Sequence, residues 1–137
     1  MILKFRAWDK KEKRYYPVSR LSLNENGVEC VGIMKQDLYY YELSDVDLEM
    51  WTELKDKNGK DIYEGDIIAW IWTIDYGAPA PLQNIESDNF EGIIYFRDGF
   101  FCVKTDNGDD YELYLCGDNT EIKGNIHEKE KSNEKYA

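Results

Sequence analysis

The chain has 137 residues, of which 42% are hydrophobic, 33% charged and 15% aromatic; this fits one globular domain, or one domain with a small subdomain, and excludes a disordered chain. Basic residues number 17 against 28 acidic, a formal net charge of −11, which argues against a simple binder of phosphate backbones. Three cysteines without C-x-x-C spacing, Cys30, Cys102 and Cys116, imply neither a disulfide framework nor a zinc knuckle.

The dominant periodicity is two. Leu3, Phe5 and Ala7 alternate with Lys4, Arg6 and Trp8, as in a strand with one buried and one more polar face. Asp9, Lys10 and Lys11 turn the chain. Tyr15, Tyr16 and Val18 predict a return strand, and Pro17 marks an edge or an end of it because proline lacks the backbone donor. Residues 21–23, the turn Asn24-Glu25-Asn26-Gly27 and residues 28–33 predict a second strand pair, and residues 38–43 a further strand. Between Asp45 and Leu54, good helix formers compete with the alternation of Val46, Leu48 and Met50 against Asp47 and Glu49; the alternation favours a strand.

Residues 55–60 contain Asn58-Gly59, a strong signal for a tight reversal because both residue types tolerate positive φ. Ile62-Tyr63-Glu64-Gly65-Asp66 leads into residues 67–74, whose β-branched and aromatic residues predict the central strand of a barrel. Gly77, Pro79 and Pro81 open a polar loop expected to run through Asn89 without a strand. Residues 90–96, the turn Arg97-Asp98-Gly99 and residues 100–104 form the clearest hairpin. A turn at Asp106-Asn107-Gly108-Asp109 feeds a strand at 111–115, and Cys116-Gly117-Asp118 turns into a last strand at 121–126. Short strands with tight turns from residue 60 onward predict a small closed or half-open barrel. Residues 128–137 alternate Glu and Lys without an apolar stripe and are expected to fray.

Chemistry-bearing motifs are scarce. The single histidine, His127, excludes the common zinc sites and any mechanism needing a histidine pair. Nothing local marks Ser19, Ser22, Ser44, Ser87 or Ser132 as an activated nucleophile. Cys102, within the apolar run 100–103, reads as a small buried hydrophobe. No phosphate-binding G-x-x-x-x-G-K-[ST] and no G-x-G-x-x-G occurs. Counting back from Gly108 puts Val103 at the first position of an EF-hand loop, so the cluster Asp106, Asp109, Asp110 reads as a turn. An enzyme using carboxylates would draw on Asp66, Asp109 and Asp110. The expectation is no catalytic residue, no cofactor and no metal site.

Charge is uneven. Residues 1–20 hold seven basic and two acidic side chains, residues 21–54 one and eight, and residues 105–125 one and six. The acidic stretches are solvated faces that keep the chain soluble, or a surface that steers it to a basic partner. Lys4, Arg6, Lys10, Lys11, Lys13 and Arg14 could track phosphates beside exposed aromatics; the competing reading fills cores and a subunit interface with those aromatics. The longest apolar run is 67–72, and the first residues lack the stretch that secretion needs, which predicts a soluble cytosolic protein without membrane association.

Three stretches together carry a family resemblance. KFRAWDK (4–10), WTELKDKNGKDIYEGDII (51–68) and the late EGIIYFRDGFF and IKGNIHE resemble the YopX family of small bacteriophage and prophage proteins. The run at 54–66 is the most specific part, and its residues Leu54, Asn58, Gly59, Ile62, Tyr63, Glu64, Gly65 and Asp66 read as structural: a hairpin turn, then a bend at Gly65 with Asp66 bonding turn amides. Two departures stand out. Glu53 occupies a position where the family usually has glycine, and Glu128-Lys129-Glu130-Lys131 replaces an Asn-Pro-Glu-Leu ending. The resemblance implies an all-β (mainly β) fold: an N-terminal β-hairpin subdomain (1–54) packed with a C-terminal SH3-like small β-barrel (55–127), then a charged tail (128–137). It implies a phage origin and a place in the bacterial host cytoplasm, and no activity. The leading expectation is a non-enzymatic module binding a host or phage protein, with nucleic-acid binding through the basic N-terminal face as the alternative. Unpaired strand edges add the expectation of a homo-oligomer.

Overall fold

The computed structural model describes residues 2–75, 85–117 and 119–128. The chain divides into two compact units, Met1–Glu53 and Leu54–Ala137, each with its own buried apolar cluster. The strands are β1 (Phe5–Asp9), β2 (Arg14–Asn24), β3 (Gly27–Met34), β4 (Leu38–Glu42), β5 (Val46–Lys55), β6 (Asp61–Tyr63), β7 (Asp66–Asp75), β8 (Ile85–Arg97), β9 (Phe100–Thr105), β10 (Asp110–Glu112) and β11 (Glu121–Asn125). One sheet runs β4-β3-β2-β1-β5-β6, the other β10-β9-β8-β7-β11. The protein is all-β and antiparallel, as the period-two pattern predicts.

In the first unit, Ala7, Val31, Ile33 and Val46 form the core, with Tyr16, Val18, Leu21, Val28, Tyr41 and Leu48 packed around it. β4 and β5 lie at opposite ends of five strands yet are joined by one 3-10 turn, Leu43–Asp45. A link that short reaches ~14 Å, against about 19 Å across five flat strands, so the sheet coils on itself. Pro17 is not at the end of its strand. Residues 14–17 of β2 pair with β1 and residues 18–24 with β3, so Pro17 stands where the strand changes neighbours and its missing donor breaks no ladder.

Glu53, the last residue of the first unit, has φ +70. This is the position where the resemblance leads one to expect glycine. Its Oε1 accepts a hydrogen bond from the Ile2 amide at 2.6 Å, an exposed contact that does not remove the clash a Cβ makes in left-handed backbone. Glu53→Gly is therefore expected to stabilise the protein by about 0.5–1 kcal/mol, the left-handed penalty less the entropy of a freer unfolded chain. A raised urea midpoint with an unchanged slope is the expected reading; a lowered midpoint would mean that the Ile2 contact outweighs the strain.

In the second unit, Ile62, Ile68, Trp70, Ile94, Val103, Leu113 and Cys116 are buried, with Trp72, Phe90, Phe101, Tyr111 and Ile122 against them. Ile68, Trp70 and Trp72 alternate inward along β7, whereas Ile71 is exposed. The β8–β9 hairpin turns on Asp98 and Gly99, both at positive φ, as a two-residue type I′ turn requires.

Three expectations are corrected here. The polar loop 77–89 is shorter than expected: residues 85–89 belong to β8 and pair with residues 71–75 of β7, while 76–84 lie outside the described residues. Pairing with an apolar neighbour outweighs the weak strand propensity of Glu86, Ser87, Asp88 and Asn89. The strand expected at 111–115 stops at Glu112, and residues 113–116 form a 3-10 turn that buries Leu113 and Cys116. Cys116, not Cys102, is the buried thiol; burial pushes it up to about 12, which makes it a packing group rather than a nucleophile. The second sheet has two ends, β10 and β11, and its hydrogen bonding does not close it. Of the expected tail, residues 129–137 lie outside the described residues.

Candidate functional site

A cleft of the first unit, about 620 Å³, is lined by Asp9, Lys10, Lys11, Glu12, Tyr40, Tyr41, Ser44 and Asp45. Its polar groups are built from the β1–β2 turn. Asp9 is buried at the end of β1, and its Oδ1 accepts from the amides of Lys11 and Glu12, both at 2.9 Å, the side-chain turn that aspartate favours. Lys35 enters from the β3–β4 turn. Its Nζ lies 3.1 Å from Glu12 and 4.0 Å from Asp9, and it donates to the Tyr41 hydroxyl. The rings of Tyr16, Tyr41 and Tyr39 stand 4.6, 5.1 and 5.5 Å from the same ammonium. Tyr16 in turn donates to Glu12.

These contacts set the charges. The Tyr41 hydroxyl, with Glu12, holds Lys35 well above the usual lysine range against the opposing effect of burial. Burial would raise the Asp9 carboxyl, but the Glu12 and Lys11 amides, Tyr41 and Lys35 outweigh it and keep Asp9 below its ordinary value. At neutral pH the cluster is thus an ionised lock of Lys35 with Glu12 and Asp9. Lys35 was not among the residues singled out from sequence. Its one signal is that it is the only basic residue between 21 and 54.

The six basic residues of the expected phosphate track are largely engaged. Arg6 bonds Glu49 at 2.9 Å and stacks 4.0 Å over Tyr15, whose hydroxyl donates to the same Glu49 oxygen. Lys10 donates to the Ser44 carbonyl at 3.0 Å and lies 3.7 Å from Asp47. Lys4 and Arg14 lie over the rings of Trp51 and Tyr16, at 4.9 and 5.0 Å. Lys11 and Lys13 are exposed in the turn.

The run 54–66 is tied into the second unit. Its hairpin turn uses positive φ at Gly59 (+81) and not at Asn58. Asp56, buried within the turn, accepts from the Asn58 and Lys60 amides at 2.9 Å through Oδ1 and from the Ile122 amide at 3.1 Å through Oδ2. Beside it the Lys57 amide donates to the Thr120 carbonyl and the Lys57 ammonium pairs with Glu121. Ile62 lies in the core, Leu54 is exposed, and Tyr63 and Glu64 are half-buried. Gly65, at φ +84, donates to the Ile94 carbonyl and accepts from the Ile126 amide. Asp66, 2% exposed, accepts from the Tyr63 amide at 2.8 Å.

The carboxylates that an enzyme reading would need are dispersed. Asp66 begins β7, whereas Asp109 and Asp110 stand at the start of β10, three strands away in the sheet order, or ~14 Å along it. Asp110 accepts from the Tyr95 hydroxyl at 2.7 Å. Among the described residues no group of three His, Cys, Asp or Glu gathers to hold a metal ion. His127 is buried beside Asn125, whose Oδ1 accepts from the His127 and Glu128 amides. No helix among the described residues is long and apolar enough to cross a membrane.

Comparison with known proteins gives a family and a fold. The family model described as YopX protein matches residues 4–131. No curated protein matches. Among solved structures, the crystal structure of protein EF1440 from Enterococcus faecalis is similar, with 24% identity and a TM-score of 0.58 over 96% of this chain and 98% of that one. At that identity the likeness concerns the fold.

Proposed function

We propose that this chain, which belongs to the YopX family, is a non-enzymatic interaction module of phage or prophage origin that engages a basic surface on a protein of the bacterial host cytoplasm. The observation that carries this reading is the distribution of charge. Between residues 21 and 54 eight carboxylates accompany a single base, Lys35, and that base is held by Glu12 and Tyr41. With Glu49 buried on Arg6 and Asp47 paired with Lys10, six of the eight, Glu25, Glu29, Asp37, Glu42, Asp45 and Glu53, remain exposed. A surface so biased steers a basic partner by long-range attraction, as phosphate does. The engagement of Arg6 and Lys10 by Glu49 and Asp47 weighs against the alternative, nucleic acid on the N-terminal face. The SH3-like reading of the second unit rests on its strand order: a four-strand meander, then a 3-10 turn that returns β11 beside β7. The open ends of both sheets would suit pairing between copies as well.

The test is affinity capture of the tagged protein from host lysate, with and without nuclease, at low and high salt. A nuclease-resistant protein that elutes with salt is the expected result, since exposed charges are screened within about a Debye length of ~8–10 Å. Capture of nucleic acid alone, abolished by nuclease, would instead make Lys4, Arg6, Lys10, Lys11, Lys13 and Arg14 the site.

A further inference from the structure

We infer that the open edge of β4 is where the partner docks, by adding an extended arginine-containing segment as one more strand; this rests on the interaction-module reading and names its site. Among the described residues β4 ends its sheet and pairs only with β3, in unbroken register from Cys30↔Glu42 to Met34↔Leu38. Its sequence, Leu-Tyr-Tyr-Tyr-Glu, has no proline, no lysine and no bulge to guard the edge, and its one charge, Glu42, repels anionic chains only. Such an edge offers main-chain hydrogen bonds to any extended chain, and the alternating side chains decide which chain is accepted.

Those side chains favour a cation. Leu38, Tyr40 and Glu42 share one face of the strand by alternation. Tyr40 is 57% exposed. It lies across Gly32, where an added Cβ would sit 3.3 Å from its ring, and its hydroxyl accepts from Arg20 at 3.3 Å. The ring is therefore oriented over the sheet with its outer side open to solvent. Tyrosines of this unit already hold cations on their faces: Arg6 over Tyr15 at 4.0 Å, Arg14 over Tyr16 at 5.0 Å and Lys35 over Tyr16 at 4.6 Å. A guanidinium stacks on such a ring and pairs with a carboxylate better than an ammonium does. An antiparallel segment would present arginine opposite Glu42, arginine opposite Tyr40 and an apolar residue opposite Leu38, which reads Arg-x-Arg-x-Φ, with Φ apolar. A second copy of β4 is a poor occupant. It would set Glu42 against Leu38 and Tyr40 against Tyr40, supply no cation, and bring together two chains of net charge −11.

The test uses the full chain and a fluorescent peptide, Thr-Arg-Thr-Arg-Thr-Val-Thr, followed by anisotropy and by backbone amide shifts. A second peptide, N-methylated on the backbone of both arginines and the valine, keeps both charges and removes the donors that would face β4, because the Tyr39 and Tyr41 backbone groups are turned to β3 and those of Leu38, Tyr40 and Glu42 outward. Expected are shifts confined to residues 38–42 and their β3 neighbours, about tenfold weaker binding by Glu42→Lys or Tyr40→Ala, and no binding of the N-methylated peptide. Both side chains are exposed, so an unchanged amide spectrum elsewhere verifies that each variant is folded. Equal binding of the two peptides, shifts on another surface, or protection of residues 38–42 that rises with protein concentration alone would each overturn the inference, the last by making a second copy the occupant. If the peptide fails to bind while lysate capture still returns a salt-sensitive protein, the edge assignment falls and the interaction module stands; if both fail, both readings fall.

Discussion

Asp56→Ala is expected to destabilise the second unit by about 3–5 kcal/mol, because it strips one buried carboxylate from three amide donors at once. Those donors are Asn58, Lys60 and Ile122, and alanine leaves all three without that acceptor. Asp56→Asn keeps one acceptor oxygen and the shape of the turn, so a smaller loss of about 1–3 kcal/mol is expected. Hydrogen exchange resolves the effect: amides of β11 and of residues 56–60 should lose protection first. Acid titration tests the same residue. Burial on its own would raise the Asp56 carboxyl, but the Lys60, Ile122 and Asn58 amides together hold it below its ordinary value of 3.8. A group whose pKa is depressed by folding contributes fully above its unfolded value and loses that contribution as pH falls through the folded one. The wild type should therefore lose stability below about pH 4, and Asp56→Asn should show a shallower loss, the remainder belonging to groups such as Asp9, which is lowered in the same direction. An alanine variant as stable as the wild type would mean that the turn is held by the Lys57–Thr120 and Lys57–Glu121 contacts alone.

Trp70→Ala is expected to cost about 3–5 kcal/mol and to abolish cooperative unfolding of the second unit. Trp70 is 1% exposed and stacks on Phe90 with centroids 5.4 Å apart and planes 15° from parallel; Trp72 and Tyr111 meet it edge-on at 6.3 and 6.0 Å. No single side chain can refill that space. Trp70→Phe separates packing from polarity, because the buried indole N–H has no acceptor among the described residues. Phenylalanine deletes an unpaired donor along with some volume, so its cost should be nearer 1 kcal/mol. Thermal unfolding followed by near-ultraviolet circular dichroism measures both variants. As a control, Tyr114→Ala, at a residue 67% exposed, should stay within about 0.5 kcal/mol of the wild type.

What could be read in the sequence was mainly local. The strands at Phe5–Asp9, Gly27–Met34, Leu38–Glu42 and Val46–Lys55 follow from alternation, and the Gly59 and Asp98-Gly99 reversals from residues that accept positive φ. The misreadings have long-range causes. Residues 85–89 look like loop because their own propensity is poor; β7, more than ten residues earlier, recruits them. Pro17 reads as an edge or an end, and it stands at an edge, paired with β1 alone; sequence does not tell that β2 exchanges one neighbour for another there. Asp56 stood in the most specific family run, yet nothing nearby announces its bond to Ile122, 66 residues on. Lys35 was invisible for a similar reason: Glu12 and Tyr41, 23 and 6 residues away, give it its place. The basic N-terminal run was legible as charge, but its partners Glu49 and Asp47 come from β5, so its effective charge could be assessed only from the fold.

The bond between Asp56 and Ile122 also orders events during synthesis. The first unit is built from successive hairpins, β1–β2, β2–β3 and β3–β4, closed by β5 on β1, so the pairings among these five strands are complete once residue 53 has left the ribosome. The second unit has no such freedom. Its β7 emerges early but waits for β11, and until then the flank of a strand carrying Ile68 and Trp70 lies open to other chains. Non-local pairing of this kind slows folding and lengthens exposure to aggregation. The nascent chain is thus most vulnerable between the appearance of residue 75 and that of residue 125, and slowing translation within that window should lower the soluble yield more than slowing it within the first 50 codons.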